Sequence, residues 1–276
     1  VHPVHGRSIR GEKLSKYSWY TETMKILIAN WKMAPDTGVQ AVALAKATAG
    51  VARTYKKTVT VVACVPFIYL TSVTKSAKSL AVGAQTVAPT TTVAATGMVS
   101  AGMLKGAGCT YCIVGHSESR ARGETNELIK QQLDTLLDKK IIPILCVGEK
   151  TRDAQGWYLS VMKDQLESAL LDVPKATLKR IVIAYEPVWA IGADAVREAT
   201  PAESLEMIIF IRKIIADLYD EKIAAQVTIL YGGSVSETNG HTFVREGGAD
   251  GLLVGRVSLE PKRFAKIADS LAKIEQ

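Results

Sequence analysis

The 276-residue chain is short of cysteine (four), proline (nine) and aromatic residues (6%), and no apolar run approaches the ~20 residues of a membrane-spanning helix. Each shortage excludes a class. Cys64, Cys109, Cys112 and Cys146 lie in apolar surroundings, in a chain long enough to bury a core without covalent staples. This argues against a disulfide scaffold and for the reducing cytoplasm. Cys109 and Cys112 form a C-x-x-C, but no second pair or nearby histidine completes a zinc set and a strand is expected to pass through them, so no metal is expected. With so little proline and 21 glycines, collagenous and disordered compositions are also out. The first 23 residues lack the apolar stretch of a secretory signal. The formal charge of +7 reads as thinly spread, without a run of five or six Lys/Arg. Neither a nucleic-acid nor a membrane partner is expected, whereas a small anionic substrate fits.

What remains is an alternation. Residues 1–23 are polar and irregular and are set apart as an appended or disordered extension; residues 24–276 carry the fold. Eight β-branched runs are read as strands: 25–31, 58–64, 80–84, 111–115, 141–147, 180–186, 227–233 and 250–255. Stretches of helical period lie between them, at 38–55, 124–138, 155–171, 202–219 and 260–273. Near-continuous apolar strands are buried on both faces, which means parallel strands under a coat of helices. Eight such units over ~250 residues predict a single-domain α/β fold, the (β/α)8 barrel, with a doubly wound open sheet as the alternative.

In such a barrel the chemistry belongs at the carboxyl ends of the strands. Asn30 and Lys32, His116 and Glu118, Glu186, the turn Gly232–Gly233–Ser234, and Gly255 stand there. Singly, each has an ordinary reading: a solvated loop charge, a structural histidine, a glycine that turns the chain. Together on one rim they supply a cation, an imidazole, a carboxylate and an anion cradle. Backbone amides hold an anion only where the chain approaches closely and the amides are unpaired, which is expected of Gly232, Gly233 and Gly255. Ser234 is expected to add a hydroxyl donor.

NWKM (30–33), GHSESR (115–120), AYEPVWAIG (184–192), YGGSV (231–235) and DGLLVGR (250–256) resemble, in order and along the whole chain after Met24, the motif series of the triosephosphate isomerase family. The resemblance implies a cofactor-free, cytoplasmic homodimer that interconverts dihydroxyacetone phosphate and D-glyceraldehyde 3-phosphate through an enediolate, in glycolysis and gluconeogenesis. It implies that Glu186 is the base, that His116 polarises the carbonyl and shuttles protons between the two oxygens, and that Lys32 stabilises the oxyanion. Asn30 and Glu118 match residues that shape the site. Gly192 and Arg256 are expected beside the substrate with the glycine turns. Pro187 to Trp189 resembles the hinge of a lid, and closing Ile191 over Glu186, opposite Leu253, would strip water from the carboxylate. Glu149 is read as a hinge partner and Cys146 as core packing.

The chain also departs from the family pattern. Its lid reads GADAVREATP where GTGK is common, with Asp194 near the tip, expected to point away from a phosphate. Arg256 replaces a frequent glycine and is expected to offset that charge. The loop 85–102 resembles the arm that each subunit of the family inserts beside its partner's site, with Thr96 at the tip. Met98 stands where Glu is usual and Ser119 where Arg is usual, a paired loss that leaves no lone buried charge. A different phosphate-binding barrel isomerase would share the glycine turns without needing Asn30, Lys32, His116 and Glu186 together. A silent binding protein would be expected to have lost the base or the electrophile.

Overall fold

A computed structural model describes residues 24–192 and 195–274. The expectations for residues 1–23 and for Asp194 lie outside the described residues.

Eight strands form the barrel: β1 (Lys25–Asn30), β2 (Val59–Cys64), β3 (Ala81–Ala84), β4 (Tyr111–Val114), β5 (Ile142–Val147), β6 (Val182–Tyr185), β7 (Thr228–Tyr231) and β8 (Gly251–Val254). Each is parallel to the next, and β8 pairs with β1 to close the ring. Closure rules out the open doubly wound sheet. The helices are α1 (Gly38–Thr54), α2 (Leu70–Ser76), α3 (Ala101–Gly106), α4 (Ser117–Ala121), α5 (Asn126–Asp138), α6 (Trp157–Leu170), α7 (Lys175–Leu178), α8 (Pro201–Leu218), α9 (Glu221–Gln226), α10 (Gly240–Arg245) and α11 (Pro261–Ala272). Three of the long helices start where a threonine caps them. Thr37 with Gln40, and Thr200 with Glu203, form reciprocal capping boxes ahead of α1 and α8, and Thr125 caps α5. The shorter helices α2, α3, α4, α7 and α9 are not singled out by the sequence because one or two turns display too little of a 3.6-residue period.

Strand side chains alternate between two cores. Inside the ring, Ile28, Val62, Ile113, Ile144, Ala184, Leu230 and Leu253 pack together with Cys64 and Cys146. Outside it, Leu27, Ala29, Val61, Leu145, Ile183 and Leu252 pack against the helices. This double burial explains the unbroken apolar strands. The period also carries the chemistry: two residues beyond inward Ile28, Ala184, Leu230 and Leu253 come Asn30, Glu186, Gly232 and Gly255. Polar and side-chain-free positions therefore crown the same barrel mouth.

Two expectations need correcting. Cys112 lies in β4 but Cys109 precedes the strand, and burial raises both thiols, Cys109 to about 11. The positive excess is not thinly spread: residues 37–117, from the cap of α1 to the first residue of α4, contain seven Lys/Arg and no Asp/Glu. These charges form no long run in sequence, and the fold brings four of them, Lys46, Arg53, Lys75 and Lys78, to one surface cleft.

Candidate active site

A cleft of about 560 Å³ opens at the carboxyl ends of the strands, lined by Asn30, Lys32, His116, Glu186, Ile191 and Gly192. Gly232, Gly233, Ser234, Leu253, Gly255 and Arg256 line it as well. Glu118 does not line it but joins through an ion pair with the Lys32 ammonium.

Glu186 is the most enclosed acid of the cleft, 2% exposed. Its Oε2 accepts the Ser117 N–H at 2.9 Å, and its Oε1 lies 3.1 Å from His116 Nε2. His116 is the residue ahead of α4, where its Nδ1 accepts the Glu118 N–H at 3.2 Å. A nitrogen that accepts carries no proton, so the imidazole proton resides on Nε2 and faces Glu186. Ser117 stands at this strand end in the sequence, but the role of its amide is not legible there, because an amide donor leaves no mark on residue identity.

Lys32 adopts a φ of 52°, the left-handed region that favours glycine. Its amide donates to Asn30 Oδ1 at 3.0 Å and its carbonyl accepts from Gln85 Nε2 at 2.8 Å. These bonds hold the strained turn and aim the ammonium at the mouth. Although burial opposes it, the Lys32 ammonium holds the Glu118 carboxyl below its ordinary range, with His116 and Arg122 adding to the effect.

The anion cradle differs in part from expectation. The Gly232 amide donates to the Tyr185 carbonyl at 2.8 Å and is not free for a ligand. What Gly232 provides is room, since a Cβ there would stand 3.1 Å from Glu186 Cγ. Ser234 Oγ donates to the Ala190 carbonyl at 2.7 Å, so its hydroxyl ties the lid to the β7 turn. The amides of Gly233 and Gly255 donate to no group among the described residues. Gly255 caps the short 3-10 turn Arg256–Leu259, and a Cβ on it would meet Lys32 Cε at 3.3 Å.

The hinge is held from below. Glu149 Oε1 accepts Trp189 Nε1 at 2.7 Å and Tyr185 OH at 2.9 Å, and the Glu149 carbonyl accepts the Val188 N–H at 3.1 Å. Burial raises the Glu149 carboxyl despite these donors. Arg197, beyond the lid tip, places its guanidinium 4.5 Å from the Trp189 ring centre and pairs with Glu203. Cys146 sits in the inner core, and the Glu186 carboxylate beside it adds to the burial that raises its thiol.

Residues 25–271 match the family model described as triosephosphate isomerase. The chain belongs to the triosephosphate isomerase family. Among its relatives, the triosephosphate isomerase of Dictyoglomus turgidum is 37% identical over 250 residues, covering 89% of this chain and 99% of that protein. That of Aquifex aeolicus is 39% identical over 256 residues, covering 89% and 99%. That of Chloroflexus aurantiacus is 38% identical over 247 residues, covering 88% and 97%. As a family member the chain is an isomerase, and among the described residues no helix is long and apolar enough to cross a membrane.

Proposed function

We propose that the cleft interconverts dihydroxyacetone phosphate and D-glyceraldehyde 3-phosphate by proton transfer through an enediolate. Glu186 removes a proton from the hydroxymethyl carbon of the ketose, and the C–H electron pair becomes the carbon–carbon double bond of the enediolate. The same carboxyl returns the proton to the former carbonyl carbon. His116 donates from Nε2 to the carbonyl oxygen and carries the proton between the two oxygens. Lys32 balances the charge that develops there, oriented by Glu118 and Asn30. The amides of Gly233 and Gly255, with Gly192 and Arg256 on the rim, hold the phosphate. Ile191 and Leu253 close over Glu186 to exclude water, which protects the enediolate from losing phosphate. One observation carries this reading: a buried carboxylate, an imidazole that donates toward it and an ammonium share one cleft with two unpaired amides.

A coupled assay on D-glyceraldehyde 3-phosphate tests it, run beside Glu186→Asp. Shortening the base by one methylene displaces it by ~1 Å, so kcat falls about 100-fold while KM moves little. An inactive parent chain, or a variant as fast as the parent, would refute the assignment.

The working form in this reading is a homodimer in the cytoplasm, serving glycolysis and gluconeogenesis. Supporting the dimer, Met33, Ile68, Val93, Met98 and Met103 are exposed apolar residues on or just beyond the loops after β1, β2 and β3, and Val93 is wholly exposed. The four cysteines are buried free thiols, as a reducing compartment keeps them. The catalytic domain in this reading spans residues 24–276.

A further inference from the structure

We propose that a second anion site, for a small oligophosphate, lies at the opposite end of the barrel from the catalytic cleft. A surface cleft of about 650 Å³ is lined by Lys46, Ala49 and Arg53 of α1 and by residues 75–79 at the end of α2. Both helices run down to the amino-terminal ends of the strands that follow them, β2 and β3, so this cleft opens on the face away from Glu186.

Four of its lining residues are cations, Lys46, Arg53, Lys75 and Lys78, and none is acidic. Among the described residues, none of the four has a carboxylate within ion-pair distance. Elsewhere the helices match their cations one turn apart, as in Lys130 with Asp134, Lys213 with Asp217 and Lys273 with Asp269. The cleft is cut into the segment 37–117, whose seven cations and no acids equal the formal excess of the whole chain; outside it Lys/Arg and Asp/Glu balance.

Helix capping accounts for part of this pattern only. Arg53 and Lys75 stand in the last turns of α1 and α2, where a cation favours the helix dipole. Lys46 lies two turns earlier and Lys78 beyond the helix, so neither is explained that way. Arg53 Nη1 donates to Ser79 Oγ at 3.1 Å, which fixes the guanidinium at the cleft and leaves the Ser79 proton free to donate. A planar guanidinium, three ammonium groups and a hydroxyl around one cleft suit a compact chain of phosphates bearing about four charges. The concavity favours such a ligand over an extended nucleic-acid strand.

Inorganic tripolyphosphate is the probe, titrated into the full chain by calorimetry at about 50 mM and about 0.3 M ionic strength. One equivalent is expected to bind at low salt without displacement by triose phosphate, and to weaken about tenfold or more at high salt. The Lys75→Glu, Lys78→Glu double variant, altered only at exposed positions, is expected to lose at least about tenfold in affinity with kcat and KM unchanged. Retained affinity in the double variant, complete displacement by triose phosphate, or no binding at low salt would overturn the proposal. So would a single-stranded RNA that binds this face more tightly than tripolyphosphate, because the surface would then serve a nucleic acid.

Discussion

At the scale of single residues, the base is positioned by groups that contribute no chemistry of their own. Gly232 leaves space for the Glu186 side chain, and a methyl group there would press on Glu186 Cγ from 3.1 Å. The Gly232→Ala protein is therefore expected to fold normally and to lose activity mainly in kcat, by about tenfold or more, because the carboxylate must shift by tenths of an ångström. Steady-state kinetics beside a thermal melt checks this, and an unchanged kcat would show that the contact is slack. Glu186, His116, Lys32 and Asn30 were legible in the sequence because each stands at, or within two residues of, the carboxyl end of a strand. The Ser117 amide, the spent amide of Gly232 and the Ser234 hydroxyl turned toward Ala190 were not. A hydrogen bond depends on where its partner arrives, and residue type does not record that.

At the scale of elements, the lid is anchored at both ends to one polar cluster. The Val196 N–H donates to the Trp189 carbonyl at 2.8 Å across the base of the loop, and Arg197 lies over the Trp189 ring while bonding Glu203, whose carboxyl caps α8. The Arg197 guanidinium, outweighing some burial and aided by the Thr200 donors, lowers the Glu203 carboxyl to about 2 from its ordinary 4.5. A carboxyl depressed in the folded state contributes stability that is fully present above its unfolded value and is lost as pH falls toward the folded one. Between about pH 5 and pH 2 the parent is thus expected to lose melting temperature more steeply than Arg197→Ala. Parallel curves in differential scanning calorimetry would remove the link. The long helices were legible through their period, and α1, α5 and α8 also through their capping threonines. The Arg197 contact was not, because it joins a position in the lid to a ring eight residues away across a loop that the family pattern does not match.

At the scale of the whole molecule, the homodimer proposed above would cover the exposed apolar residues on the loops after β1, β2 and β3. Sedimentation at micromolar concentration is expected to show dimers. Met98→Glu should dissociate them, since an unpaired charge brought into an interface costs roughly 3 kcal/mol or more. Adding Ser119→Arg should restore association, and the coupling between the two changes is the quantity to measure. A parent chain that sediments only as monomer would contradict the dimer.

The order of residues alone determined eight parallel strands under a coat of helices, since unbroken apolar strands separated by amphipathic stretches can be buried only that way, and it favoured the barrel over the open sheet. It determined the side chains of the rim as well, because the two-residue period of a strand leads from an inward core residue to an inward rim residue. Only the folded structure decided that β8 meets β1, which amides remain free, and that unpaired cations far apart in sequence share a cleft at the other end of the barrel. These are properties of neighbours brought together by closure of the ring, and distance along the chain carries no trace of them.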